Sequence, residues 1–192
     1  MKKSLILAVS AVLAAAPLVL KAEPRERRSE AQDFRAQRRA ETQAHYEQQR
    51  SENRAFQESL KDKTPEEKQA AVQAHRETQH RENTAFAAEQ TEKRRVFLTQ
   101  SLAANTQLTD AQKADLIAFH ENQWKENEAT RESRYQESVA FFQKIAADNS
   151  LTQEQKKAAI KAHRDEAKAA ARAHLEQQKA ENKAKRDSLK QP

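Results

Sequence analysis

The sequence contains neither glycine nor cysteine in its 192 residues, and aromatic residues make up only 5% of it. Glycine normally supplies the positive φ angles of tight β-hairpin turns and the backbone of phosphate-binding loops, so its absence argues against both. The lack of cysteine excludes disulfide bonds and thiol catalysis. With so few aromatic residues, the chain has little material for a large apolar core.

Charged residues are abundant, at 33% of the chain, and alanine, glutamine and glutamate supply much of the rest. This composition is typical of long helices and coiled coils, because these residues have high helix propensity and little tendency to form strands. The sequence therefore predicts an all-α protein.

The first 22 residues differ from the rest. Two lysines precede an apolar run over residues 5–20, and small residues follow. This pattern predicts a secretory signal peptide at residues 1–22 and a single all-helical repeat domain at residues 23–192. The alternative is an uncleaved N-terminal anchor, although the run is short for a membrane span and Pro17 interrupts it. We therefore expect a periplasmic protein whose mature chain is not stably inserted in the membrane.

The net charge is +6, and it falls to +3 without residues 1–22, which contain three lysines and no acidic residue. The basic excess of the mature chain is therefore modest. An exported protein rarely meets nucleic acid, so we expect no nucleic-acid partner.

A short motif recurs at intervals of 43 to 45 residues: a threonine followed three positions later by glutamine or glutamate. This spacing is the signature of a capping box, in which the two side chains bond each other's backbone N–H groups at the start of a helix. The three pairs are Thr64 with Glu67, Thr109 with Gln112, and Thr152 with Gln155. Each pair predicts the start of a long helix.

These starts, together with the polar breaks between them, predict about four long antiparallel helices. The expected spans are residues 23–61, 65–103, 110–147 and 153–189. Short connections favour helical hairpins or a thin bundle.

One face of each predicted helix carries histidine, asparagine and aromatic residues at three- and four-residue steps, or a fragment of that pattern. The first two helices contain the residues His45, Gln49, Asn53 and Phe56, and His75, Gln79, Asn83 and Phe86. In the last helix His163 and His174 are eleven residues apart, nearly three whole turns, so both lie on the same face. Because so many of these positions are polar, the helices should be only marginally stable alone, and we expect a homodimer.

The histidines are the only candidates for a chemical site. In an up-and-down bundle His45, His75, His80 and His163 could share one level and bind a transition metal. The alternative is that they are half-buried packing residues of a polar interface. No motif that pairs a nucleophile with a base occurs, so we expect neither an enzyme nor a cofactor.

Two helix starts contain a longer motif, Leu-Thr-x-x-Gln, at Leu108, Thr109 and Gln112 and again at Leu151, Thr152 and Gln155. In an exported helical chain this motif resembles the periplasmic Spy/CpxP-type proteins, the LTxxQ-motif family. The resemblance implies curved helical hairpins that dimerise and bind unfolded proteins on a cationic, partly apolar concave face. It also implies that binding needs no ATP and serves the response to envelope stress.

We therefore expect an exported, ATP-independent chaperone-like protein whose partners are unfolded or misfolded envelope proteins. The candidate client-binding residues are aromatic or cationic: Phe97, Trp124, Tyr135, Phe141, Phe142, Arg131 and Arg134. The alternatives are a structural coiled-coil protein of the cell envelope and a metal-binding or metal-sensing helical protein that uses the histidines.

Overall fold

The computed structural model describes residues 25–189 and places nearly all of them in four long helices. These are α1 (Arg25–Ser59), α2 (Pro65–Ala103), α3 (Asp110–Ala147) and α4 (Gln153–Ser188). No strand occurs within residues 25–189. The predicted all-α class is confirmed, and each observed helix boundary lies within two residues of its prediction. The predicted signal peptide at residues 1–22 lies outside the described residues.

Side-chain hydrogen bonds cap the N-termini of two helices, α2 and α4. The hydroxyl of Thr64 accepts from the N–H of Glu67, whose carboxylate accepts from the N–H of Thr64 at 2.8 Å. Thr152 and Gln155 make the same reciprocal pair at the start of α4. Two of the three predicted capping boxes are therefore confirmed, and each satisfies two N–H groups that the helix itself cannot. The pair of Thr109 and Gln112 stays a prediction.

The helices end without glycine. Ala104, which follows α2, keeps right-handed helical backbone angles, and its N–H donates to the carbonyl of Gln100 at 3.1 Å. After α3 the carboxylate of Asp148 accepts from both the N–H and the hydroxyl of Ser150. Polar side chains and helical backbone angles thus replace the left-handed glycine that commonly ends a helix.

The helices pack in sequential pairs, α1 against α2 and α3 against α4. We call these pairs the first and the second hairpin. The chain divides into two compact units, and within the described residues the division falls between Thr109 and Asp110. The sequence predicted one repeat domain over residues 23–192, whereas the contacts give two units because each helix packs on its neighbour in sequence.

The buried residues are few, and more of them are polar than apolar. The buried apolar residues are Ala31, Leu102, Leu108, Leu116, Trp124 and Ala171. The buried polar residues are Gln49, Gln79, Gln90, Asn105, His120, Gln123 and Gln178. Two packed helices cannot enclose a wide apolar core, so polar contacts must define the interface between them.

None of the helices within residues 25–189 is long and apolar enough to cross a membrane.

Replacing Thr152 with alanine should lower the free energy of unfolding of the second hairpin by about 1 kcal/mol, because the N–H of Gln155 loses its acceptor. Urea unfolding followed by circular dichroism measures the change. Thr152→Ser keeps the hydroxyl and should retain most of the stability. Equal stability of the alanine variant and the native chain would show that this box does not stabilise α4.

Candidate functional site

Aromatic and imidazole rings stack in pairs along the interface of each hairpin. In the first hairpin three ring pairs bridge α1 and α2 with centroids 3.9 to 4.2 Å apart: Phe34 with Phe97, His45 with Phe86, and Phe56 with His75. In the second hairpin Phe141 stacks on His163 at 4.1 Å, and the ammonium of Lys185 lies 5.5 Å from the ring centre of Phe119. Each of these rings stays half-buried.

The ring pairs repeat every eleven residues. In α1 the ring positions are 34, 45 and 56, and in α2 they are 75, 86 and 97. Eleven residues correspond to three turns of 3.67 residues, so the ring positions stay on one face along the whole helix. The sequence shows this step between His163 and His174, and the same step between Phe34, His45 and Phe56 is a readable signal of the ring pairs.

Between the ring pairs of the first hairpin, one asparagine oxygen accepts two hydrogen bonds from the opposite helix. Asn83 Oδ1 lies 2.9 Å from both His45 Nε2 and Gln49 Nε2. Because an amide oxygen only accepts, the His45 Nε2 must carry the hydrogen. We call such a set of asparagine, histidine and glutamine an amide layer.

A second amide layer reverses the roles of the helices. Asn53 of α1 accepts from His75 Nε2 at 2.7 Å and from Gln79 Nε2 at 2.8 Å, both on α2. Each helix therefore carries one histidine–glutamine pair and one asparagine at identical spacing. The two helices are interchangeable in this contact, and the pairing fixes their antiparallel alignment.

The second hairpin contains one complete amide layer and one degenerate position. Asn127 Oδ1 accepts from His174 Nε2 at 2.8 Å and from Gln178 Nε2 at 2.7 Å. Ser138 lies eleven residues after Asn127 on α3, where the repeat predicts an asparagine. Ala167 lies eleven residues before Gln178 on α4, where it predicts a glutamine. His163 remains, and its Nε2 lies 3.3 Å from the hydroxyl of Ser138.

An open groove of about 580 Å³ lies between α3 and α4 at this degenerate position, compared with about 330 Å³ beside the intact layer of His45 and Gln49. Its walls include Thr130, Arg134, Ser138, His163, Ala167 and Ala170. The guanidinium of Arg134 bonds the carbonyl of Ala170 at 3.1 Å, which holds this cation at the groove. Glu137 and Glu166 also line it, so the groove combines a small apolar wall, an imidazole, one guanidinium and two carboxylates.

The predicted client-binding residues lie at several separate places in the structure. Phe141 stacks on His163, which lines the groove, and Arg134 lines the groove itself. Phe97 belongs to the first hairpin, where it stacks on Phe34. Trp124 is only 9% exposed, so its indole is not a surface feature. The remaining predicted residues, Tyr135, Phe142 and Arg131, are half-buried on α3 and do not line the groove.

The predicted metal ligands hydrogen-bond or stack instead. Nε2 of each of the three histidines His45, His75 and His163 is engaged by an asparagine or serine oxygen. Within residues 25–189 no group of three or more histidine, cysteine or acidic side chains is positioned to hold a metal ion. His80 is half-buried and also interacts with other residues. The histidines thus act as interface residues, the alternative that the sequence left open.

Burial lowers the pKa of two histidines below their ordinary value. For His75 the effect of burial is partly offset by the carboxylates of Glu52 and Glu82. For His120, burial is again the main cause, opposed by a hydrogen bond to Gln123 and reinforced by the charge of Lys185. Both imidazoles therefore resist protonation in the folded chain more than an ordinary histidine does.

Comparisons with protein-family models, curated proteins and solved structures find no match to the chain. The likeness of its helix starts to the LTxxQ-motif proteins stays a prediction. In the structure Leu108 is buried and Leu151 is half-buried beside the threonines that precede α3 and α4.

Replacing Asn83 with alanine should lower the free energy of unfolding of the first hairpin by about 2 kcal/mol. The substitution leaves the donors of His45 and Gln49 without an acceptor at a site where Gln49 is only 5% exposed. Gln48→Ala, at an exposed position of α1 next to Gln49, is the control. It should change the free energy of unfolding, measured by urea titration, by less than about 0.5 kcal/mol. Equal effects of the two substitutions would contradict a structural role for the amide layer.

The stability of the folded chain should fall as the pH is lowered from 7.5 to 5.5. The unfolded chain takes up protons near the ordinary histidine pKa of 6.5, whereas His75 and His120 resist protonation when folded, so acid favours unfolding in this range. Urea titrations at several pH values measure the slope. His75→Gln and His120→Gln together should flatten it; an unchanged slope in the double variant would assign the effect to other groups.

Proposed function

We propose that the chain is an exported, periplasmic, ATP-independent chaperone-like protein that binds non-native proteins through a cationic, partly apolar helical surface. The observation that carries the proposal is the groove at Ser138 and Ala167, where small residues interrupt an otherwise repeated interhelical contact. Its ligands would be unfolded or misfolded envelope proteins, and its action would be binding rather than catalysis.

Incomplete burial of the rings supports this proposal. A ring between only two helices is covered on its faces and left open at its edges, which is why the stacked phenylalanines of both hairpins are half-buried. Val96 adds a large apolar side chain that is 46% exposed. Such scattered apolar surface suits weak contact with many different unfolded segments rather than one shaped partner.

The groove offers a second kind of contact. Its volume of about 580 Å³ is large enough for one or more apolar side chains of a client, and Ala167 and Ala170 provide a wall without polar groups. Arg134 places a positive charge beside that wall. Glu137 and Glu166 add negative charges to the same groove, so an apolar client segment flanked by charges of both signs would fit it, and binding should weaken as salt screens these charges.

Homodimerisation remains part of the proposal, because two thin hairpins bury little apolar area and a second copy could shield more of the rings. The mature chain would act without stable membrane insertion and without a nucleic-acid partner, as its modest net charge suggests.

A structural role in the cell envelope is the second candidate. The eleven-residue step of the ring pairs and the interchangeable amide layers favour it, because such repeats can build a long helical rod without forming a binding site. The chaperone hypothesis predicts that the chain suppresses aggregation of non-native proteins, whereas the rod hypothesis predicts that it does not.

The native mature chain should suppress aggregation of a chemically denatured model protein at near-stoichiometric ratios without nucleotide, measured by light scattering after dilution. Ser138→Asn combined with Ala167→Gln copies the complete amide layer of Asn127, His174 and Gln178, and should therefore fill the groove. We expect this variant to be more stable than the native chain and at least threefold less effective in suppression.

Ala180→Gln places the same side chain at an exposed position of α4 and is the matched control, which should suppress aggregation as the native chain does. Absence of suppression by the native chain at several-fold excess would overturn the chaperone hypothesis and favour the rod. Full suppression by the groove-filled variant would keep the chaperone hypothesis and move client binding to the half-buried rings.

A further inference from the structure

The first hairpin contains a pair of arginines at positions where the repeat predicts amides. Gln49 and Asn83 bond across the interface in one amide layer. One eleven-residue step along each helix, away from the turn, leads to Arg38 on α1 and Arg94 on α2. Two like charges thus occupy the positions that elsewhere form a hydrogen bond.

Arg38 is held in place by neutral groups. Its Nε donates to the amide oxygen of Gln90 at 3.1 Å, and its guanidinium carbon lies 5.7 Å from the ring centre of Phe34. Burial is the main cause that lowers the pKa of Arg38, and the carboxylate of Glu41 partly opposes it. The guanidinium is therefore oriented, but no carboxylate bonds it directly within the described residues.

Arg94 is the more unusual of the two. Its Nε is buried and has no hydrogen-bond acceptor within residues 25–189. Burial, together with the facing charge of Arg38, lowers the pKa of Arg94 to about 10, so the side chain is still a cation at neutral pH. A buried cationic donor without an acceptor destabilises a fold unless something else accepts from it.

The carboxylate of Glu41, which acts on Arg38, is also engaged by other groups. Glu41 accepts from the amide of Gln90 at 2.6 Å and pairs with the ammonium of Lys93 at 2.9 Å, and these contacts lower its pKa. Gln37 also donates to it, at 3.1 Å. Glu41 therefore offsets the charge of Arg38 only in part, and within the described residues no carboxylate opposes the lowering of the Arg94 pKa.

We propose that Arg38 and Arg94 form a binding site for a phosphate-type oxyanion. A dianion matches two positive charges, and its several oxygens can accept from two guanidinium groups at once, which is the geometry for which arginine is suited. The oxyanion would give the buried Arg94 Nε its missing acceptor and would hold α1 to α2 at the end of the hairpin far from the turn. This inference is independent of the proposed chaperone activity.

The test compares thermal unfolding of the full mature chain in sodium chloride and in inorganic phosphate at pH 7.5 and matched ionic strength. Phosphate at 10 to 20 mM should raise the unfolding midpoint by several degrees, and calorimetric titration with phosphate should give a dissociation constant in the millimolar range or tighter. Equal midpoints in the two salts, with no heat of binding, would overturn the proposal.

Arg38→Gln combined with Arg94→Asn restores the residue types of the neighbouring amide layer. This double variant should be more stable than the native chain in chloride, because it removes two facing charges, and it should lose the response to phosphate. Arg39→Gln removes an exposed charge from the same helix and should keep the response. A double variant that still responds to phosphate would place the anion elsewhere and overturn the assignment.

Two further ligands distinguish the source of the oxyanion. If glycerol 3-phosphate stabilises the chain as well as inorganic phosphate does, the site accepts a phosphate monoester carried by a larger molecule. If only inorganic phosphate stabilises it, the site binds the free ion. Both results support the oxyanion site, whereas equal stabilisation by acetate would overturn the requirement for a dianion.

Discussion

The hydrogen bonds to a single asparagine oxygen organise each hairpin. Asn83, Asn53 and Asn127 each accept from a histidine and a glutamine on the opposite helix, and each contact satisfies three polar groups at once. Because these groups are partly buried, any other alignment of the two helices would leave donors without acceptors. The asparagines therefore specify alignment, while the stacked rings add apolar contact between the helices.

The groove and the arginine pair both lie where other residues replace those of an amide layer. Where serine and alanine replace asparagine and glutamine, the two helices are left with a groove. Where Arg38 and Arg94 replace the amides, the interface carries two facing positive charges, and Glu41 offsets only part of the charge of Arg38. A regular repeat makes such sites recognisable, since each can be compared with an intact layer in the same chain.

The sequence predicted the four helices closely because their limits depend on local signals: capping threonines, Pro65, and the polar breaks between helices. It also predicted the interacting face of α1. It could not predict how the adjacent residues Phe141 and Phe142 of α3 meet α4. Both contact His163, Phe141 by stacking at 4.1 Å and Phe142 edge-on at 6.0 Å. The division into two hairpins and the burial of Trp124 likewise depend on tertiary packing that no local pattern encodes.

The eleven-residue step of the ring pairs also bears on how such a chain can change length. A block of eleven residues adds about 16 Å to a helix and returns the next residue to nearly the same face. Inserting or deleting one block at matching positions in both helices of a hairpin would therefore keep the other layers in register, whereas a block in only one helix would offset every layer that lies beyond it from the turn. Coupled changes of this kind let a hairpin lengthen or shorten by one eleven-residue block per helix at a time.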